Sequence, residues 1–160
     1  MAALHGPTAA QALREVTHHE AAPSEDQRTL TPALVDALWD SGLMTYLNVP
    51  EAGGSQPTFA DVIETWIELA TQDGALGWIG IANLPSAMAA SAYLPDPGFA
   101  EVFCDPSQRV TVGGQFFPNG TGAAADDGYR LTGSWNFGSG TAHAAYVAAG
   151  FFPVIDGEPS

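Results

Sequence analysis

The sequence predicts an α+β protein, with helices over residues 1–105 and strands over residues 106–160. Three observations carry that division. Apolar residues recur at helical spacing as far as Phe103 and with a period of two after Arg109. Glycine turns gather in the second part, at Gly113-Gly114, Gly120-Thr121-Gly122, Asp127-Gly128 and Asp156-Gly157. Charge divides at the same place, with fourteen acids and two arginines before residue 106 and four acids and two arginines after it.

Taken in order, residues 8–21 read as a polar helix and residues 22–29 as a connector. Thr31 can cap the next helix, with Pro32 in its first turn, where a missing N–H costs nothing. Leu34 and Leu38 lie one turn apart, as do Val35 and Trp39, and Gly42 stands where a C-terminal cap belongs. Residues 43–49 read as short and extended, and residues 50–54 as a turn. Residues 57–72 form the clearest helix. Phe59, Val62, Ile63, Trp66, Ile67 and Ala70 make its inward face, and Asp61, Glu64 and Glu68 a solvated acidic one. Asp73-Gly74 ends it. Residues 75–82 are apolar all round, which predicts a helix enclosed by its neighbours. Further helices are expected over 85–93 and 98–103.

In the second part, Asp126-Asp127-Gly128 signals a hairpin, with Tyr129 and Leu131 alternating against Arg130 and Thr132. Trp135, Phe137 and Ser139 would share one face of an extended segment, opposite Asn136 and Gly138. Residues 144–155 read as one long apolar strand. Asp156-Gly157 then signals a turn with no strand returning from it, so an incomplete domain of at most four or five strands is expected, with an edge left to cover.

Composition removes several functions. The chain has 160 residues, 46% hydrophobic and 14% charged, which excludes a disordered acidic tail or a coiled coil. A chain this long can bury roughly 70% of its unfolded surface, enough for a core without disulfides or structural metal. Its net charge is −14 and its four basic residues are all arginines. Neither a nucleic acid nor an anionic membrane surface is expected as a partner, because both need clustered cations. One cysteine, Cys104, excludes an internal disulfide or a CxxC site and is expected to be buried and inert. No secretory h-region interrupts the first thirty residues, and the apolar run from Ala75 to Met88 is too broken to span a bilayer. A soluble, cytoplasmic protein of a reducing compartment is the reading.

Few residues present themselves as chemistry. Gly138-Ser139-Gly140 is not a nucleophile elbow, since Phe137 and Thr141 stand where that motif needs glycines. His143 could reach Ser139 in a loop. His18 and His19 are adjacent on a helix, about 100° apart, and cannot both face one metal, so no metal site is expected. A phosphate-binding loop of the Walker type is excluded without lysine. Trp66 reads as core. Trp135 differs, because it stands among glycines and polar residues where a flat ligand could approach the backbone.

The run from Asp127 to Gly140, DGYRLTGSWNFGSG, followed by His143-Ala144, resembles the middle-domain signature of the acyl-CoA dehydrogenase-like flavoproteins. Its G-x-W-x-F-x-S-G form is most similar to the branch of two-component flavin-dependent monooxygenases. Two upstream stretches resemble the same family, from Leu38 to Gly54 and from Asp73 to Trp78, so the resemblance spans about residues 25–156. It implies a helical N-terminal domain (1–105) followed by part of an antiparallel β-barrel domain (106–160). The remaining barrel and the family's C-terminal helical bundle have no counterpart in this sequence. Laid over the family's W-I-T triplet, Phe137 matches the tryptophan and Ser139 the hydroxyl residue. By that resemblance Ser139 would hydrogen-bond near flavin N5, Phe137 would pack on the isoalloxazine, Trp135 would support the same face or line the pocket, and Gly138 would belong to the cofactor-binding turn. Phe116 and Phe117 open a turn, 116–120, that resembles the family's other flavin-facing segment, where backbone groups contact the pyrimidine edge.

The implied cofactor is a flavin, FMN or FAD, and the implied partners are a small-molecule substrate, a separate flavin reductase and, in the full-length family, further copies of the chain. The leading expectation is a fragment of a two-component monooxygenase that hydroxylates an aromatic or related small molecule with reduced flavin and O2. One alternative is an acyl-CoA dehydrogenase oxidising a thioester at Cα–Cβ. The other is a non-catalytic half that needs a partner chain. No catalytic acid or base is assigned, because the dehydrogenase glutamate lies in the part of the family that is missing here.

Overall fold

Two threonines start the helices that build the core, in a computed structural model that describes residues 6–105, 107–155 and 157–159. Thr31 Oγ1 accepts from the Leu34 N–H at the head of α3 (Pro32–Asp40). Thr58 and Asp61 form a reciprocal capping box at the head of α4 (Phe59–Gln72). Before them come α1 (Gly6–Ala12) and α2 (Arg14–Gln27), and after them α5 (Gly74–Ala82), α6 (Leu84–Tyr93) and α7 (Asp96–Phe103). Leu34 of α3, Leu43 of the turn after it, Leu69 of α4 and Leu76 of α5 are fully buried in one core cluster. Each such leucine contributes about 2 kcal/mol relative to an exposed one.

Several expectations for the helices are corrected. The first helix breaks at Leu13, not after residue 21, and α2 runs through Pro23 to Gln27, so most of the expected connector is helical. Pro23 removes only the rung to the His19 carbonyl, too little to end the helix here. Residues 43–49 are not extended. Leu43–Thr45 form a 3-10 turn and Tyr46 and Asn48 bond back to Leu43 and Thr45, and Leu43, Met44 and Tyr46 are buried. In α4 the buried stripe is Val62, Thr65 and Leu69, while Phe59 and Ile67 are exposed. Thr65 enters the core because its hydroxyl is satisfied by the Asp61 carbonyl at 2.6 Å. Glu68 is not simply solvated but paired with Arg14. Helix α5 is not enclosed: Leu76, Gly77 and Gly80 are buried, but Trp78 and Ile81 face outward. Cys104 is exposed, not buried, because it caps α7, a short helix that buries only Val102.

The strands are β1 (Val112–Gln115), β2 (Gly120–Ala125), β3 (Gly128–Gly133), β4 (Tyr146–Ala149), β5 (Phe152–Ile155) and β6 (Glu158–Pro159). They form two small sheets, β1-β4 and β3-β2-β5-β6. The β2–β3 hairpin is antiparallel as expected, pairing Gly120 with Gly133 through Ala125 with Gly128. The β1–β4 and β2–β5 pairs are parallel, which the antiparallel expectation did not include. Residues 144–155 are two strands in different sheets. Gly150 divides them, its N–H bonded to the Gln115 carbonyl and its Cα so close to the Phe116 carbonyl that a Cβ would overlap it. A strand does return after Gly157: β6 pairs antiparallel with β5, making six strands among the described residues. Asp156 lies outside the described residues.

Candidate functional site

Helix α5 and the turn at 138–143 build the first part of the site. Asp73 caps α5, its Oδ1 accepting from the Ala75 and Leu76 N–H groups at 2.8 and 3.1 Å. One turn on, Trp78 Nε1 donates to Ser139 Oγ at 2.9 Å. At the C-terminal end of α5, Asn83 is 2% exposed and its Nδ2 donates to the carbonyls of Val112 (3.2 Å) and Ser139 (3.4 Å). His143 Nε2 lies 2.8 Å from Thr29 Oγ1, and the His143 carbonyl accepts from Thr111 Oγ1 at 2.7 Å. Ser139 and His143 therefore have separate partners and form no nucleophile–base pair.

Residues 134–138 are irregular, not the extended segment expected. Phe137 takes a left-handed backbone (φ 57°), and the Ser139 N–H reaches back to its carbonyl at 2.7 Å. That conformation is uncommon for a phenylalanine and breaks the shared face predicted for Trp135, Phe137 and Ser139.

The other predicted segment, 116–120, is knit to this turn through one carbonyl. Gly150 O accepts from the Asn119 N–H at 3.2 Å and from Trp135 Nε1 at 2.6 Å. Asn119 Nδ2 also donates to the Ser134 carbonyl at 2.6 Å. Trp135 is thereby half-buried, its ring against Gly120 and Gly133. Phe116, Phe117 and Phe137 are 57%, 70% and 86% exposed, and none has an aromatic ring partner among the described residues.

Two hollows flank the site. A cleft of about 770 Å³ lies between the end of α2, the start of α5 and the 138–143 turn, with Arg28, Trp78, Gly138 and His143 in its walls. Arg28 has no ion pair among the described residues. A groove of about 550 Å³, walled by Tyr93, Val112, Phe116, Tyr146 and Val147, is almost wholly apolar. Of the residues singled out from sequence, Gly138 thus borders the cleft and Phe116 the groove, while Ser139 is held at Trp78. Sequence reasoning missed Trp78 and Asn83 as contributors. The available signal was a polar side chain, Asn83, inside an apolar run. Among the described residues no group of three His, Cys, Asp or Glu could hold a metal ion, and no helix is long and apolar enough to cross a membrane.

No family model matches the chain. It is 34% identical over 140 residues to the oxygenase subunit HsaA of a flavin-dependent monooxygenase from Mycobacterium tuberculosis, covering 85% of this chain and 34% of that protein. The crystal structure of that HsaA superposes with a TM-score of 0.87 at 29% identity, over 97% of this chain and 42% of the other. The oxygenase component of the FADH2-dependent resorcinol hydroxylase of a Rhizobium species is 32% identical over 139 residues, 85% of this chain and 33% of that one. XiaF from a Streptomyces species, solved with FADH2 and glycerol, superposes with a TM-score of 0.87 at 26% identity, over 97% of this chain and 39% of the other. The chain spans about a third of the length of the curated relatives it matches. These relatives carry monooxygenase and hydroxylase names, so the acyl-CoA dehydrogenase alternative is not favoured. By sequence and by fold, the homologues of this chain are oxygenase subunits of flavin-dependent monooxygenases.

Proposed function

We propose that this chain is part of the oxygenase component of a two-component flavin-dependent monooxygenase that hydroxylates an aromatic or related small molecule. Phe137 carries the reading. Its side chain is 86% exposed on a left-handed backbone, two residues before Ser139. An exposed phenylalanine in that conformation is destabilising twice over, through strain and through unburied apolar area. A flat heteroaromatic ring stacked on it would offset the second term.

The neighbouring residues fit such a ring. Ser139 offers a hydroxyl, Gly138 has no side chain to block approach, and Trp135 buttresses the turn through the Gly150 carbonyl. Phe116 and Phe117 add exposed aromatic surface on the segment tied to the same carbonyl. When bound, reduced FMN or FAD supplies the electrons and the oxygen-activating chemistry. This chain's residues would act at the ring itself: Ser139 would orient its edge, and the phenylalanines would cover ring surface and displace water from it. The reduced flavin would come from a separate reductase, and the working protein would be a homo-oligomer. Aromatic hydroxylation is the reaction class suggested by the resorcinol hydroxylase relative.

The test is a titration of the purified chain with FMN and FAD, oxidised and reduced, read by flavin absorbance and fluorescence. Saturable binding is expected, weakened about tenfold by Ser139→Ala or Phe137→Ala. A chain that unfolds cooperatively on heating yet binds neither flavin in either redox state would sink the reading.

A further inference from the structure

Helix α5 grips Ser139 at two points, through Trp78 at the hydroxyl and Asn83 at the carbonyl. The first bond has only one chemical direction. An indole N–H donates and cannot accept, so Ser139 Oγ must be the acceptor. The single hydroxyl proton therefore points away from Trp78. Among the described residues nothing accepts it. Carbonyls of the same turn take their hydrogen bonds from other groups: Gly138 from Thr141 Oγ1 at 2.8 Å and from the Thr141 N–H at 3.2 Å, and Phe137 from the Ser139 N–H. The indole thus takes one of the three staggered directions at Oγ, leaving the proton the two that face away from α5, with its donor unspent.

We propose that Trp78 is a positioning residue for the cofactor contact, turning the Ser139 hydroxyl proton away from α5 so that it is presented to an acceptor on the edge of the bound flavin. The proposal rests on the flavin reading above. Without the indole, the hydroxyl turns freely among all three staggered positions. Ordering it then opposes ligand binding. Trp78 also needs such an account for itself. It is 55% exposed and lines the cleft beside Gly138, where packing alone gives no reason for a large ring. Asn83 completes the grip from the backbone side, where a Cβ on Gly140 would overlap its amide.

Two measurements on the 160-residue chain test this. In 15N-labelled protein the Trp78 indole N–H resonance, assigned by its loss in Trp78→Phe, should shift and exchange faster with solvent in Ser139→Ala. In flavin titrations, Trp78→Phe should weaken binding about fivefold to tenfold, and Trp78→Phe/Ser139→Ala should be no weaker than Ser139→Ala alone. Ser139→Thr, which keeps the hydroxyl, should retain the sensitivity to Trp78→Phe. Thermal melts check that each variant folds, and an exposed tryptophan is a tolerant site for phenylalanine. If wild type binds flavin but Trp78→Phe binds equally well, or the two substitutions multiply, the proposal falls while the flavin reading stands. An indole resonance indifferent to Ser139→Ala overturns it whatever flavin does. A folded chain that binds no flavin overturns the flavin reading and removes the ligand this proposal needs.

Discussion

Asn83 decides the local geometry of the site, because a buried amide must place its hydrogen bonds somewhere. Its donors go to Val112 and Ser139, on segments 29 and 56 residues away, while Oδ1 has no partner among the described residues. Gly140 makes this approach feasible, with φ at 70° and no side chain to meet the amide. Gly140→Ala is therefore expected to destabilise the chain by roughly 2 kcal/mol or more, combining strain at a positive φ with overpacking. Denaturant unfolding checks it. A loss below about 0.5 kcal/mol would mean that the turn does not sit against Asn83 as described. The same residues mark what could be read from sequence. Ser139, Phe137 and Trp135 stood out because their motif is local. Trp78 and Asn83 did not, because their partners lie far along the chain and no spacing rule encodes such a meeting.

The helices were legible where one face is plainly apolar and the caps are local, and misread where a polar side chain joins the core. In α4 the periodicity was read correctly but the inward face was rotated, because a hydrogen-bonded Thr65 and a paired Glu68 look solvated in sequence. Glu68 shows the consequence. Arg14 meets it with two hydrogen bonds, Nε to Oε1 at 2.7 Å and Nη2 to Oε2 at 2.8 Å, and Gln72 Nε2 adds a third at 2.8 Å. Gln72 also donates to the Ala10 carbonyl at 2.7 Å, so α1, α2 and α4 are tied at one place. The Arg14 hydrogen bonds first, then Gln72, hold the Glu68 carboxyl below its ordinary range. A carboxyl with a lowered folded-state pKa contributes stability that is full above its unfolded value, about 4.3, and is lost as pH falls through the folded value. Glu68→Gln should thus lower Tm near neutral pH, and its gap from wild type should close on acidification below about pH 4. A gap that stays constant down to about pH 2.5, in melts followed by circular dichroism, would show that the pairing does not bias the titration.

Across the whole molecule, the helices meet the strands through few polar contacts, and that is where the balance of charge matters. Arg109 bonds Asp36 and Asp40 and lies 5.8 Å from the centre of the Trp39 ring; His143 touches Thr29. The change of pattern near residue 105 was legible because periodicity and glycine turns are local. The parallel β1–β4 and β2–β5 pairs were not, because which strands pair is set by long-range packing. Charge, in contrast, is a global quantity that sequence states outright. The chain carries −14, and of its four arginines only Arg14 and Arg109 have carboxylate partners among the described residues. Most acids therefore repel one another without compensation, more in the folded chain than in the expanded one. Screening shortens that repulsion from about 30 Å at 0.01 M salt to about 10 Å at 0.1 M, while exposed ion pairs of this kind have little to lose. Tm is expected to rise by a few degrees between about 0.01 M and about 0.5 M sodium chloride, most of it below about 0.2 M. Potassium chloride should act alike, since screening depends on ionic strength and not on the cation. A Tm that falls with salt would mean that the Arg14 and Arg109 pairs outweigh the net repulsion. The joints between helices and strands, Arg109 above all, would then be the electrostatic centre of the fold.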